Sequence, residues 1–149
     1  MSRTSHYMFL LVLTLYHGYS VTSSNVPVVN AFERFDVTIM DAEIENLVVH
    51  VSSKDSDLGN KTMNVKTKFD WKFRMAIGDS TVFRGQFFWM NPDNSVANQL
   101  QFNVFDKNVA AQCGQNIIIE RKCFWLVNKI GFYFARDEPK NMKLMYRWS

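Results

Sequence analysis

The fold class of this 149-residue chain is decided by residues 66–75, which read KTKFDWKFRM. Large apolar side chains at Phe69, Trp71, Phe73 and Met75 alternate with charged side chains. A β-strand sends successive side chains to opposite faces, so all four would lie on one face of a strand. A helix, with 3.6 residues per turn, would scatter them around its axis. The stretch therefore predicts a half-buried β-strand.

Seven further segments alternate in the same way or are rich in β-branched and aromatic residues, and turn-forming residues separate them. They are residues 35–40, 46–52, 82–89, 100–104, 123–127, 131–135 and 142–148. Residues 123–127 are apolar on both faces, which predicts a central strand covered on each side. No helix-period stretch of useful length interrupts the series. The sequence predicts an all-β domain, a small antiparallel β-sandwich or barrel of about eight strands.

The N-terminus predicts export. Arg3 precedes an apolar run at residues 7–16, and small residues at 18–20 or 21–23 offer a cleavage site. The run is about half the roughly 20 apolar residues that a spanning helix needs. We expect a cleaved signal peptide over residues 1–20, a flexible lead-in over 21–34 and one secreted, extracellular domain over 35–149. No second long apolar run follows, so no membrane insertion is expected after cleavage.

The mature composition argues against several classes of function. Loss of Arg3 leaves 16 basic and 14 acidic residues, a balance that gives no reason to expect nucleic-acid binding. His50 is the one histidine beyond the signal, which excludes two-histidine acid–base chemistry and a His-rich zinc site. No nucleophile-elbow motif occurs. We therefore expect no catalytic residues, no cofactor and no enzyme activity, and a structural role for His50.

One polar stretch, residues 52–60, imitates the opening of a calcium loop through Asp55, Asp57 and Gly59. The bidentate carboxylate that such a loop needs would fall at Lys66, so we expect a solvated strand connection and no metal.

Two covalent modifications are expected of an exported chain. Asn60-Lys61-Thr62 is an N-glycosylation sequon that follows Gly59 in a predicted loop, so Asn60 is the expected acceptor. Cys113 and Cys123 favour one disulfide over two buried free thiols, because the exported environment is oxidising.

Several of these segments, taken in order, resemble the plant self-incompatibility protein family, the S-protein homologues. Residues 47–59 resemble its strand and Ser-Lys-Asp-Asp-Asp-Leu-Gly stretch, and 69–73 its aromatic-x-Trp-x-Phe strand. Residues 83–89 resemble its Phe-x-Cys-x-aromatic-x-Trp strand. Cys113 and residues 123–125 resemble its closing Cys and Cys-x-Trp. The resemblance spans nearly the whole mature chain and implies a small secreted β-sandwich with no active site.

The chain departs from this family at two cysteines. The family usually carries four, and Val51 and Gly85 stand at two of those positions. Their joint absence implies that these two positions are partners in the relatives, since losing one alone would leave a free exported thiol. The resemblance then leaves Cys113 to pair with Cys123.

The resemblance also implies a function: a ligand read by a cell-surface protein receptor, in the best understood case on incompatible pollen. We expect a monomer that meets its partner through two polar connections, residues 54–60 and 136–141. The candidate contact residues are Lys54, Asp55, Asp57, Arg136, Asp137, Glu138 and Lys140. The alternative is a carbohydrate-binding or hydrolytic wall protein, for which Trp148 is the tryptophan expected to be exposed.

Overall fold

The computed structural model describes residues 32–114 and 119–149. The predicted signal peptide and most of the lead-in lie outside these residues. The described part holds nine strands and one short helix, which occupy the following ranges: β1 Arg34–Asp41, β2 Leu47–Ser52, β3 Asp57–Met63, β4 Lys68–Arg74, β5 Phe83–Met90, β6 Val96–Phe105, α1 Lys107–Gln112, β7 Arg121–Val127, β8 Gly131–Arg136 and β9 Lys143–Arg147. A 3-10 turn at Ile77–Asp79 lies between β4 and β5.

The strands form two sheets, which confirms the predicted all-β sandwich. The five-stranded sheet has the order β4-β1-β7-β8-β9, and the four-stranded sheet has the order β3-β2-β5-β6. Every pairing is antiparallel except that of β1 with β7, which is parallel. β7 lies in the middle of its sheet, as the sequence predicts for residues 123–127.

Aromatic rings from the two sheets meet between them. Phe35 of β1 lies 4.8 Å from the ring of Phe105 of β6, and Phe87 of β5 lies 4.8 Å from Phe132 of β8. Trp125 is buried on β7, and its indole nitrogen donates to the carbonyl of Val104 on the opposite sheet. Burial of these rings is the main stabilising contribution, and the indole bond satisfies the buried donor of Trp125.

The eight expected strands are all present, and β3 is the addition. Residues 52–60 were expected to be a solvated connection, but the chain re-enters the four-stranded sheet at Asp57. Most of β3 is exposed because it is an edge strand, so it lacks the apolar alternation that identifies the other strands. Leu58 and Gly59 together lie opposite one residue of β2, and Gly59 takes a φ of 71° at this bulge. Asn60 therefore lies in a strand rather than in the expected loop.

Helix α1 was also unexpected, since the sequence shows no helical period of useful length. It has six residues and depends on its cap: the Asp106 carboxylate accepts from the amides of Asn108 and Val109, both at 2.9 Å. Val109 and Ala110 are its buried residues. So short a helix buries too few side chains for a period to be visible.

Cys113, at the end of α1, forms the expected disulfide with Cys123 of β7. The two positions where the family carries its other cysteines face each other: Val51 of β2 is the direct register partner of Gly85 of β5. This register supports the inferred pairing in the relatives. At Gly85, a Cβ would lie 2.6 Å from Val104 Cγ1 and 2.7 Å from Phe87 Cε2, so the Phe87 ring now fills the space beside the glycine.

We predict that the double variant Val51→Cys, Gly85→Cys forms a second disulfide. Closing a loop of about 35 residues should make the oxidised variant roughly 3–4 kcal/mol more stable than its reduced form. The measurement is the drop in unfolding free energy on adding reductant, with the drop shown by wild type subtracted. Both redox forms carry the same crowded cysteine at position 85, so the difference between their unfolding free energies reports the effect of the cross-link. Val51→Cys, Gln86→Cys is the control, because successive residues of a strand face opposite ways; a bond there and none at 85 would contradict the register.

Candidate functional site

Four connections meet at one end of the sandwich, here called the disulfide end. They are residues 53–56, 75–82, 106–120 and 137–142, of which 115–118 are not described. Register places them together within each sheet, since Ser52 pairs with Arg84 in one sheet and Arg34 pairs with Arg74 in the other. Ring contacts join the sheets at this end, as between Phe73 and Phe83 at 4.7 Å. Both predicted partner loops therefore share one end of the molecule.

The two loops lie at opposite corners of that end. Residues 53–56 lead into β3, an edge strand that lies beside β4: the Lys61 ammonium sits over the Phe69 ring. Residues 137–142 lead into β9, whose Tyr146 ring lies 4.4 Å from Phe102 of β6. The topology brings the candidate residues to a common surface without bringing the two loops into contact with each other.

The β8–β9 loop is a preformed series of tight turns. The Glu138 amide donates to the Arg136 carbonyl at 2.6 Å, and the Lys140 amide to the Glu138 carbonyl at 2.7 Å. The Asp137 carboxylate occupies the place that a Cβ at Gly114 would take. Lys140 pairs with Glu138 at 2.7 Å, and the hydrogen bond from its ammonium lowers the pKa of Glu138. The four predicted charges are therefore presented on a backbone that is already folded.

The β2–β3 loop is a smaller version of the same design. The Ser53 amide donates to the Ser56 carbonyl at 2.7 Å, and the Ser56 amide donates back to the Ser53 hydroxyl at 3.0 Å. Lys54 and Asp55 are exposed at the tip of this turn. Asp57 does not belong to the tip, because it begins β3.

Asp57 instead joins a polar row on the outer face of the four-stranded sheet. Its carboxylate lies 2.7 Å from Nε2 of His50, whose Nδ1 lies 2.9 Å from the side-chain oxygen of Gln86. Gln86 donates in turn to Gln101 at 3.1 Å. Both ring nitrogens face oxygen acceptors, so these hydrogen bonds, that to Gln86 first, raise the pKa of His50. The amide of Gly59 and then His50 lower the pKa of Asp57.

Arg121 was not identified from the sequence, yet its side chain is only 3% exposed. Its guanidinium donates to Glu33 at 2.8 Å, to the Gly114 carbonyl at 2.7 Å and to the Ala110 carbonyl at 2.8 Å. It also lies over the Phe35 ring at 5.2 Å. One buried side chain thus joins the start of β1, helix α1 and Gly114, the residue that follows Cys113 of the disulfide. One sequence signal indicates its burial: Arg121 lies two residues before Cys123, so it falls on the inward-facing side of the alternation in β7.

The four tryptophans give no exposed platform for a sugar. Trp71 and Trp125 are buried and Trp89 is half-buried. Trp148, expected to be exposed, is half-buried, packs on Phe132 and donates to the Asn128 carbonyl at 2.8 Å. That expectation was wrong because the terminal residues fold back against the β7–β8 turn.

Three further expectations concern a metal ion, a membrane-spanning helix and a glycan. Within residues 32–114 and 119–149, no cluster of three or more His, Cys, Asp or Glu side chains is arranged to hold a metal ion. The same residues contain no helix of the length and apolarity that a bilayer crossing requires. Asn60 is exposed on β3, as an acceptor must be, and its glycosylation stays a prediction.

We predict that the stability of the protein falls through His50 as the pH rises from the unfolded-state pKa of about 6.5 through the raised folded-state pKa. A raised pKa means that the imidazolium bonds contribute fully below the unfolded-state pKa of about 6.5 and are lost as pH rises through the folded pKa. The NMR titration of this residue should have its midpoint above that value. His50→Gln should show a smaller drop in unfolding free energy over the same pH range, and Asp57→Asn should move the midpoint downward. A midpoint at or below the unfolded value would contradict the hydrogen-bond assignment.

Arg121→Gln should destabilise the protein by about 3–5 kcal/mol, because it removes the buried donor that pairs with the Glu33 carboxylate and bonds to the carbonyls of Gly114 and Ala110. Urea unfolding measures the change. Lys122→Gln is the matched control: its side chain faces outward, and a change within about 0.5 kcal/mol is expected. Adding Glu33→Gln to Arg121→Gln should recover part of the loss, since a neutral amide costs less to bury than a carboxylate that has lost its ion pair. If Arg121→Gln and Lys122→Gln lowered the unfolding free energy equally, Arg121 would not be the central contact.

Known proteins are similar to this chain in sequence and in fold. A family model described as plant self-incompatibility protein S1 matches residues 36–148. S-protein homolog 2 and S-protein homolog 1, both from Arabidopsis thaliana, are each 28% identical, over 103 and 133 residues. These matches cover 69% and 85% of this chain, but the chain spans only 60% of the length of the first relative and 80% of the second.

A solved self-incompatibility protein homologue, from a widespread family of small, highly stable, secreted plant proteins, superposes with a TM-score of 0.58. The alignment covers 78% of this chain and 96% of that structure, and at 13% identity it shows the shared fold. The secretion expected from the N-terminus agrees with the description of that homologue. Because the family match extends over most of the sequence, the chain belongs to the plant self-incompatibility protein S1 family.

Proposed function

We propose that this protein is a secreted recognition ligand that binds a cell-surface protein receptor through its disulfide end. The observation that carries the proposal is the convergence of both polar loops on one end of a rigid sandwich. Partner-binding residues are disproportionately found on loops that a rigid scaffold positions. The exposed charges of the two loops, at opposite corners, would frame a surface between them.

The charges on these loops favour selectivity over raw affinity. Lys54 and Asp55 lie at one corner, and Arg136, Glu138 and Lys140 at the other, so each corner carries both signs. Exposed interfacial charges steer the encounter and penalise partners with the wrong pattern. A ligand that must discriminate among related receptors needs this kind of surface.

Family membership supports a role in signalling, and the resemblance implies one setting for it, the recognition of pollen by the pistil. We propose rejection of self pollen as the finer function, with binding rather than catalysis as its chemistry. Expression in the stigma, and arrest of incompatible pollen tubes by the purified protein, would support that setting. Expression confined to seed or root would move the same ligand to another signalling role.

We predict saturable binding of the labelled mature protein to plasma-membrane vesicles from the tissue that its target cells form. Unlabelled protein should compete, and protease treatment of the vesicles should abolish binding, as a protein receptor requires. The double variant Arg136→Glu, Lys140→Glu should compete about tenfold less well, because it reverses the charge of one corner. Lys129→Glu, exposed at the opposite end in the β7–β8 turn, is the control and should compete like wild type.

Two results would contradict this proposal. Binding that survives protease would indicate a lipid or glycan target. A glycan array with specific, saturable signals would favour the carbohydrate-binding alternative, although no exposed tryptophan supports it.

A further inference from the structure

Large apolar side chains are exposed at the disulfide end, in a connection that neither predicted loop includes. Ile77, in the 3-10 turn between β4 and β5, is 73% exposed, the highest value among the large apolar residues of the described chain. Val82 is exposed at the other end of the same connection, and Phe32 beside its first residue, its amide bonded to the carbonyl of Met75. Burying apolar side chains is favourable, so a protein that leaves several exposed together at one end has a surface suited to a partner.

We propose that Ile77 and Val82 form the apolar anchor of the recognition surface, entering an apolar pocket on the receptor protein that is rimmed by acidic side chains. This proposal rests on the proposed receptor function and adds the residues that supply its affinity. Interfaces draw most of their binding energy from a few residues that become fully buried in pockets of the partner, and the surrounding contacts mainly exclude water.

The backbone that carries Ile77 is fixed before any partner binds. The Ala76 amide donates to the Thr81 hydroxyl at 2.9 Å, and the Ser80 hydroxyl donates to the Ile77 carbonyl at 3.2 Å. Gly78 takes a φ of 75°, which reverses the chain immediately after the isoleucine. An exposed side chain on an internally bonded turn loses little conformational freedom on binding, and this is the arrangement expected of an anchor.

A cleft lies beside the anchor and connects it to a predicted loop. It has a volume of about 550 Å³ and lies between the β2–β3 loop and the β4–β5 connection. Lys54 and Asp55 line one wall, and Thr81, Val82 and Arg84 line the other. The anchor is therefore continuous with the polar surface from which the receptor proposal was drawn.

The charges around the anchor select the kind of partner. Basic side chains predominate: Arg34, Lys54, Arg74 and Arg84 are all exposed at this end. Asp55 is the acidic residue that lines the neighbouring cleft. A partner surface with aspartate or glutamate around its apolar pocket complements this pattern, whereas a second copy would bring like charges together.

The test is competition against the labelled wild-type protein on the same plasma-membrane vesicles. Ile77→Asp should require at least about tenfold more protein for half-maximal competition, and Ile77→Ala should lie between it and wild type. Ile77→Leu should compete like wild type. Ile130→Asp is the matched control, since Ile130 is 51% exposed in the β7–β8 turn at the opposite end. Unfolding midpoints should be unchanged in all four variants, because both positions are exposed.

The outcomes separate the anchor from the receptor function. If wild type shows no saturable binding, the receptor function fails; if wild type binds and Ile77→Asp competes equally well, only the anchor is refuted. Equal losses in Ile77→Asp and Ile130→Asp would also refute it, as would wild-type self-association in sedimentation that Ile77→Asp abolishes. Binding that weakens with added salt would support the acidic rim, and salt-independent binding would overturn it.

Discussion

The buried guanidinium of Arg121 is the contact on which the disulfide end depends. A charge taken out of water is costly unless its hydrogen bonds are made, and here Glu33, Gly114 and Ala110 all accept from it. Those acceptors belong to segments that no β-ladder joins directly. The ion pair and hydrogen bonds of this one side chain therefore fix where α1 and Gly114 lie relative to β1, and mispositioning any of these segments would cost Arg121 a buried hydrogen bond.

The same contact extends to the surface through neighbouring backbone. The Lys122 carbonyl accepts from the amides of Gly114 and Asp137, at 2.9 and 3.2 Å. The β8–β9 loop is thus attached to the segment that Arg121 holds. A ligand built in this way presents its charged loops and its exposed isoleucine in one arrangement, so its selectivity comes from the pattern of the surface rather than from the ordering of flexible loops.

The sequence predicted those elements whose burial leaves a period. Eight strands alternate visibly because one face of each packs on the other sheet, and the disulfide followed from two cysteines in an exported chain. Strand β3 shows no alternation because most of its residues are exposed, and it adopts strand geometry through pairing with β2 alone. Arg121 and Ile77 were missed for opposite reasons. A buried arginine and an exposed isoleucine both contradict the hydropathy of their side chains, and only tertiary structure shows that.

The facing pair Val51 and Gly85 bears on how this lineage could change. If an ancestor carried the family's cysteines there, losing either one alone would have exposed a reactive thiol, so the two losses had to follow closely. The ring of Phe87 lies beside Gly85 and packs on Phe102 and Phe132. A cysteine at 85 requires only that ring and the Val104 side chain to shift, whereas a cysteine at either position alone would be an unpaired exported thiol. Return to the four-cysteine pattern would therefore need both substitutions together, so this lineage is held at one disulfide by the cost of the single-cysteine intermediate rather than by the packing of the core.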